Sequence, residues 1–275
     1  MSADKVRIGV VAPGSRMEFD IAEATAALAA AIYGDRVDIV FHPQCYESWG
    51  HFAGTDESRA AAFVEIANDP AFDALWIGRG GYGACRVAPL VLPRLTPAAQ
   101  AKTYLGYSDA GALLGALQCA GFQRVAHGPM PADIRRTGGA AAVKRALGWL
   151  FDRTPEGVEP HACAAPSVAF NVTILSNLIG TRYQPDVAGR VLMLEEVSEY
   201  AYRIDRSLCH ITSNAEVRRA AGLRLGRCSD IPKNDVDFGQ TEEEIARHWC
   251  AISGIPYLGR ADIGHDIDNK IVPFA

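Results

Sequence analysis

Apolar and polar positions along the chain follow two alternating patterns. Short runs rich in β-branched residues, Val6 to Val11, Val37 to His42, Asp73 to Ile77 and Thr103 to Tyr107, are separated by stretches whose apolar residues recur at the helical period. Asp20 to Tyr33 is the first such stretch, with Gly34 as its stop, and Asp56 to Asn68 is the second, ended by Asp69 and Pro70. Strand, helix, strand is the rhythm of βαβ units, so the first half predicts a parallel sheet with helical crossovers. Arg124 to His127 adds a strand. Pro129, Pro131, Gly138 and Gly139 then break the pattern before a further helix, Ala140 to Phe151.

A Pro- and Gly-containing stretch from Asp152 to Pro166 reads as a linker, and the rhythm changes beyond it. Val191 to Glu195 is a buried-looking strand, Tyr202 to Ile211 a helix, Gly222 to Gly226 a strand and Thr241 to Ser253 a helix. The expectation is an α/β protein with an N-terminal parallel-sheet domain over 1–151, a linker over 152–166 and a smaller C-terminal α/β domain over 167–275.

Composition narrows the function classes. A chain of 275 residues, 49% hydrophobic and 21% charged, is long enough for one large or two modest cores. Its 27 Lys and Arg against 32 Asp and Glu leave a net charge of −5, with no run of five like charges, which argues against nucleic acid or an acidic membrane surface as partner. The apolar stretch Ala24 to Tyr33 falls well short of the roughly 20 residues that span a bilayer. Residues 1–5 run into the first strand without an apolar signal core, so a cytoplasmic location is expected. Seven cysteines with no C-x-x-C pair read as reduced thiols buried as small hydrophobes, with no metal site.

The sharpest local feature is Gly106-Tyr107-Ser108-Asp109-Ala110, between a strand and a small-residue helix. A serine at such a turn can present its hydroxyl to solvent while the helix N-terminus aims free N–H groups at the same spot. Ser108 therefore reads either as a nucleophile or as a simple helix cap. A serine nucleophile needs a base, and the base an orienting acceptor. His265 lies in a polar loop, Gly264 to Asn269, between two apolar segments, while His127, near a strand end, is a weaker candidate. For the acceptor, Leu192-Met193-Leu194-Glu195-Glu196 puts a carboxylate at the end of an apolar strand, where it needs a partner unless it is solvated.

Gly78-Arg79-Gly80-Gly81-Tyr82-Gly83 satisfies G-x-G-x-x-G after a strand. A dinucleotide site also calls for an acidic residue about 20 positions on and an intact helix. No Asp or Glu occurs from Ala84 to Ser108, and Pro89 and Pro93 predict a broken helix. The alternative is that the exposed N–H of Gly81, paired with that of Asp109, receives the oxyanion formed when Ser108 attacks a carbonyl.

Together these residues resemble the LD-carboxypeptidases, serine peptidases that trim murein tetrapeptides. The matching blocks are Ile8 to Pro13, Phe52-Ala53-Gly54-Thr55-Asp56, Arg79-Gly80-Gly81-Tyr82-Gly83, Gly106-Tyr107-Ser108-Asp109, His127-Gly128-Pro129-Met130, Leu194-Glu195-Glu196-Val197, Tyr202 to Arg206, Ile255-Pro256, and Gly264-His265 with Asn269 and Pro273. The resemblance implies a catalytic triad of Ser108, Glu195 and His265 in the cleft between domains, no metal or organic cofactor, and a small murein peptide as partner. It also implies cytoplasmic cell-wall recycling and a homodimer. Two departures stand out: Gly111 where threonine is common, and Ala169-Phe170-Asn171 where the family has Gly-Gly-Asn. The bulk of Phe170 predicts a reshaped pocket. Peptidases of the microcin C immunity type, which act on acyl-nucleotide conjugates, share the elbow and triad and are the nearest alternative; a catalytically silent muropeptide binder is another.

Overall fold

The computed structural model describes residues 5–274; residues 1–4, on which the reading of the chain start rests, and residue 275 lie outside the described residues. Strands β1 (Val6–Val11), β2 (Val37–Phe41), β3 (Ala74–Ile77), β4 (Thr103–Gly106) and β5 (Val125–His127) form a parallel sheet in the order 5-4-3-1-2. Its central strands β3, β4 and β5 are buried throughout, as expected where helices cover both faces. Those helices are α1 (Phe19–Tyr33), α2 (Asp56–Asn68), α3 (Ala84–Val91), the single turn α4 (Pro97–Gln100), α5 (Gly111–Cys119) and α6 (Ala140–Asp152).

A second parallel sheet has the order β6 (Ser167–Asn171), β7 (Val191–Val197), β8 (Gly222–Ser229), β9 (Tyr257–Arg260). Its helices are α7 (Val172–Leu178), α8 (Ala201–Ser213) and α9 (Glu242–Ser253). The last strand, β10 (Val272–Pro273), leaves this sheet and pairs antiparallel with β5 on the edge of the first. Phe274 then bridges to Ser167 at the start of β6, so the chain end ties the two sheets together.

One apolar core runs through both halves. Phe63, Tyr104 and Leu113 belong to the same buried cluster as Phe170, Leu175 and Leu192. Two cysteines, Cys45 and Cys250, are buried as expected, but Cys85, Cys119 and Cys163 are exposed, so burial does not account for the cysteine set. All seven are free thiols. Among the described residues no helix is long and apolar enough to cross a membrane.

In the first sheet strand order reverses between β1 and β3, and the loops leaving the carboxyl ends of these strands diverge there. A crevice at such a switch point is where open α/β sheets hold ligands.

Candidate active site

β4 ends at Gly106, and the chain turns through Tyr107 into a tight turn, Ser108–Ala110, that runs on into α5. Ser108 sits at φ 60°, a left-handed conformation that costs a non-glycine residue about 1–2 kcal/mol. Small residues let the turn close. A Cβ on Gly106 would lie 3.2 Å from that of Ala110 and 2.9 Å from the Ile77 side chain, so strand and helix approach this closely only with small groups at both positions.

The glycine loop lies against the same hydroxyl. A Cβ on Gly80 would stand 3.1 Å from Ser108 Oγ, and Gly81 and Gly83 take φ of 90° and 146°, which favour glycine. The far end of the loop is fastened twice: the Ala84 N–H donates to Asp109 Oδ2 (2.7 Å), and the Gly83 carbonyl accepts from Arg59 Nη1 (3.0 Å). Arg59 is fully buried, with its guanidinium over the Phe52 ring. Burial pushes the Asp109 carboxyl up to about 6, although the N–H groups of Ala84 and Gly83 and the charge of Arg59 pull it down. The break predicted after the loop is absent: α3 continues to Val91 with Pro89 inside it. Ala84, Val87, Ala88 and Val91 are buried, and this tertiary packing outweighs the bond Pro89 cannot donate.

Glu195 and His265 meet Ser108 from the second half of the chain. His265 Nε2 lies 2.9 Å from Ser108 Oγ and Nδ1 lies 2.5 Å from Glu195 Oε2. With the imidazole neutral, Nδ1–H donates to the carboxylate and Nε2 accepts the serine hydroxyl. Burial pulls the His265 pKa down, but the adjacent Glu195 carboxylate more than offsets this and leaves it raised. Glu195 is completely buried near the end of β7, where the pairing with β8 slips by one residue. Gly226 on β8 makes room for it, since a Cβ there would come within 3.0 Å of the Glu195 Cβ.

Residues 8–128 match the family model of the LD-carboxypeptidase N-terminal domain, and residues 165–275 match that of the LD-carboxypeptidase C-terminal domain. A putative carboxypeptidase of Streptomyces coelicolor is 31% identical over 286 residues, covering 99% of this chain and 89% of its own. The chain belongs to the LD-carboxypeptidase family. The murein tetrapeptide carboxypeptidase of Pseudomonas aeruginosa is 27% identical, with 98% of this chain and 91% of that protein covered. The structure of MccF in complex with glutamyl sulfamoyl guanosine has the same fold, with a TM-score of 0.77 at 15% identity over 98% of this chain and 95% of that one. As a family member the chain is a carboxypeptidase of the serine type.

In this LD-carboxypeptidase the loop that carries His265 is locked from three sides. Asn269 Oδ1 accepts from His127 Nε2 (3.1 Å) and from the Gly264 N–H (3.2 Å). Arg145 of α6 donates to the carbonyls of Ile267 (3.0 Å) and Asn269 (2.8 Å), and Arg227 of β8 pairs with Asp262 and Asp266. His127, the weaker candidate base, is thus a fully buried strut that does not meet Ser108; burial lowers its pKa. Sequence reasoning passed over these supports because Arg145, Arg227 and Asp262 lie in ordinary helix, strand and loop contexts. Tyr107, which the sequence presents only as part of the elbow, has its ring 4.9 Å from that of His265, and its hydroxyl donates to buried Asp133 (2.7 Å).

The triad opens on a cavity of about 360 Å³ that Gly80, Gly81, Ser108 and His265 share with Arg79, Arg135 and Arg136. Phe170 does not line it. Its ring packs 5.1 Å from that of Phe274 and lies against Gly111 and Gly115 of α5, where a Cβ would sit 3.4 Å from it. The expected reshaping of the pocket by Phe170 does not occur, because its bulk goes into the core between the halves, into space that Gly111 leaves open. Phe170 and Gly111 are therefore packed against each other, with little room for a larger side chain at position 111.

Proposed function

We propose that this carboxypeptidase releases the terminal D-alanine from murein tetrapeptides, in cytoplasmic peptidoglycan recycling, through an acyl-enzyme on Ser108. The observation that carries the reading is the continuous hydrogen-bonded series Ser108–His265–Glu195 opening on a cavity walled by guanidinium groups. A murein tetrapeptide carries several carboxylates, and the arginines that line the cavity, Arg79 among them without a carboxylate partner among the described residues, suit such a substrate. The name of the Pseudomonas aeruginosa relative supports the same substrate.

In this mechanism His265 takes the Ser108 proton as the hydroxyl attacks the carbonyl between the diamino acid and D-alanine. The oxyanion is received by the N–H groups of Gly81 and Asp109; a donor of this kind is typically worth about 10²–10³ in rate. His265, held by Glu195, passes the proton to the departing amine, and D-alanine leaves. Water, activated by the same imidazole, then releases the shortened peptide. The strained φ of Ser108 keeps the hydroxyl at the mouth of the cavity, ready for attack.

The test offers the enzyme L-Ala-γ-D-Glu-meso-diaminopimelate-D-Ala and, separately, an acyl-sulfamoyl nucleoside, with products followed by mass spectrometry. Faster turnover of the tetrapeptide supports the proposal. Preferential cleavage of the nucleoside conjugate would replace it with the microcin C immunity type of chemistry. Neither product, together with peptide binding, would indicate a silent muropeptide binder.

A further inference from the structure

A carboxypeptidase must recognise that its substrate ends one residue after the bond it cuts. The terminal carboxylate lies about 3.5 Å of chain beyond the scissile carbonyl, so its receptor has to lie immediately beside the nucleophile and the glycine loop, where a guanidinium is well suited to the task. Three arginines line the cavity, and their partners separate them. Arg135 is paired with Asp20. Arg136 donates through Nε to Asp133 (3.0 Å), which also holds the Tyr107 hydroxyl and the Met130 N–H. Arg79 differs: among the described residues it has no carboxylate within ion-pair distance, and its Nη1 donates to the Arg16 carbonyl (3.0 Å).

Arg79 is also placed by the chain. It directly precedes Gly80, whose Cα is about 3.8 Å away, and a Cβ on Gly80 would touch the Ser108 hydroxyl at 3.1 Å. The bond to Arg16 steadies the exposed guanidinium at the cavity wall and leaves Nε and Nη2 as a fork for a carboxylate. We infer that Arg79 binds the terminal carboxylate of the leaving residue and so restricts this site to chain ends. The identity of that residue as D-alanine rests on the tetrapeptide reading above; the carboxylate site itself does not.

Two measurements test it on the full chain, in the wild type, Arg79→Gln and Arg79→Lys. The first compares kcat/KM for the tetrapeptide with that for its C-terminal amide. We expect the wild type to favour the acid by about 10- to 100-fold, the scale of a charge-assisted bidentate contact. Arg79→Gln should lose that preference mainly through KM, and Arg79→Lys should recover part of it. The second measures protection of Ser108 by N-acetyl-D-alanine against a fluorophosphonate, which bears no carboxylate. Protection is expected in the wild type and not in Arg79→Gln, with labelling in the absence of competitor unchanged as the sign of an intact site. An acid-to-amide ratio that survives Arg79→Gln, or equal protection of both proteins, overturns the inference even if D-alanine is released. Absence of release from either peptide with protection dependent on Arg79 overturns the tetrapeptide reading and upholds the carboxylate site.

Discussion

Glu195 is a carboxylate with no solvent exposure. One of its oxygens meets the His265 imidazole, and the other, Oε1, has no hydrogen-bond partner among the described residues. A buried charge so sparsely satisfied is costly to the fold. It is explained if its work is to orient and stabilise an imidazolium. Glu195→Gln should therefore leave thermal stability equal or higher while kcat drops on the order of a thousandfold or more, checked by calorimetry and turnover on one preparation. Because Glu195 holds the His265 pKa above its ordinary 6.5, and the base must be unprotonated to act, kcat/KM should rise with pH through an apparent pKa above 6.5. A pH–rate profile reads this directly. Asp109 gives a separate signature. Its carboxyl is raised from 3.8 to about 6, so the folded state binds the proton more tightly, and stability falls as pH rises from about 4 to 6. Asp109→Asn keeps an acceptor for the Ala84 N–H and should be more stable than the wild type by about 2–3 kcal/mol at pH 7.5, with the gap closing below pH 4 in denaturant titrations.

The loop 264–269 owes its position to His127 on one sheet, Arg227 on the other and Arg145 on α6. We expect His127→Ala to cut kcat about tenfold without removing the ionisation seen in the pH profile, far less than the loss expected of His265→Ala, which removes the base of the proposed mechanism. Phe170 and Gly111 form a second unit. Phe170→Gly should cost at least the roughly 3–5 kcal/mol typical of emptying a buried phenylalanine site, and Gly111→Thr crowds both Phe170 and Ile174. The double variant should be less destabilised than the two single effects combined, because the threonine enters the space the ring vacates. Denaturant midpoints of the four proteins measure that coupling. Several elements were legible from pattern alone: β1 to β5 and α1, α2 and α6 stood out because apolar periodicity and Gly or Pro stops agree there. β6, β9 and β10 were not. Ser167 and Asn171 blur the first, Gly259 interrupts the second, and the two residues of β10 include Pro273, which only an edge strand accommodates. Pro89 inside α3 misled in the other direction, since composition does not register the packing of Val87 and Val91.

At the scale of the molecule the site exists only because the two halves share a core. Ser108 follows a strand of the first sheet, Glu195 lies on the second, and His265 comes from the chain that crosses back to join the first. The elbow and the loop were readable as local turns, whereas the meeting of residues 108, 195 and 265 was not, because no spacing encodes a contact made across two sheets; there the family resemblance supplied the grouping. The molecule carries a net charge of −5, yet three guanidinium groups line the cavity beside Ser108, two of them paired with Asp20 and Asp133. The most direct measurement is D-alanine release from L-Ala-γ-D-Glu-meso-diaminopimelate-D-Ala by the wild type and by Ser108→Ala, with folding of both verified by circular dichroism. The account predicts stoichiometric release by the wild type and none above background by the variant. Wild-type rates in Ser108→Ala, or no release by folded wild type, would contradict it.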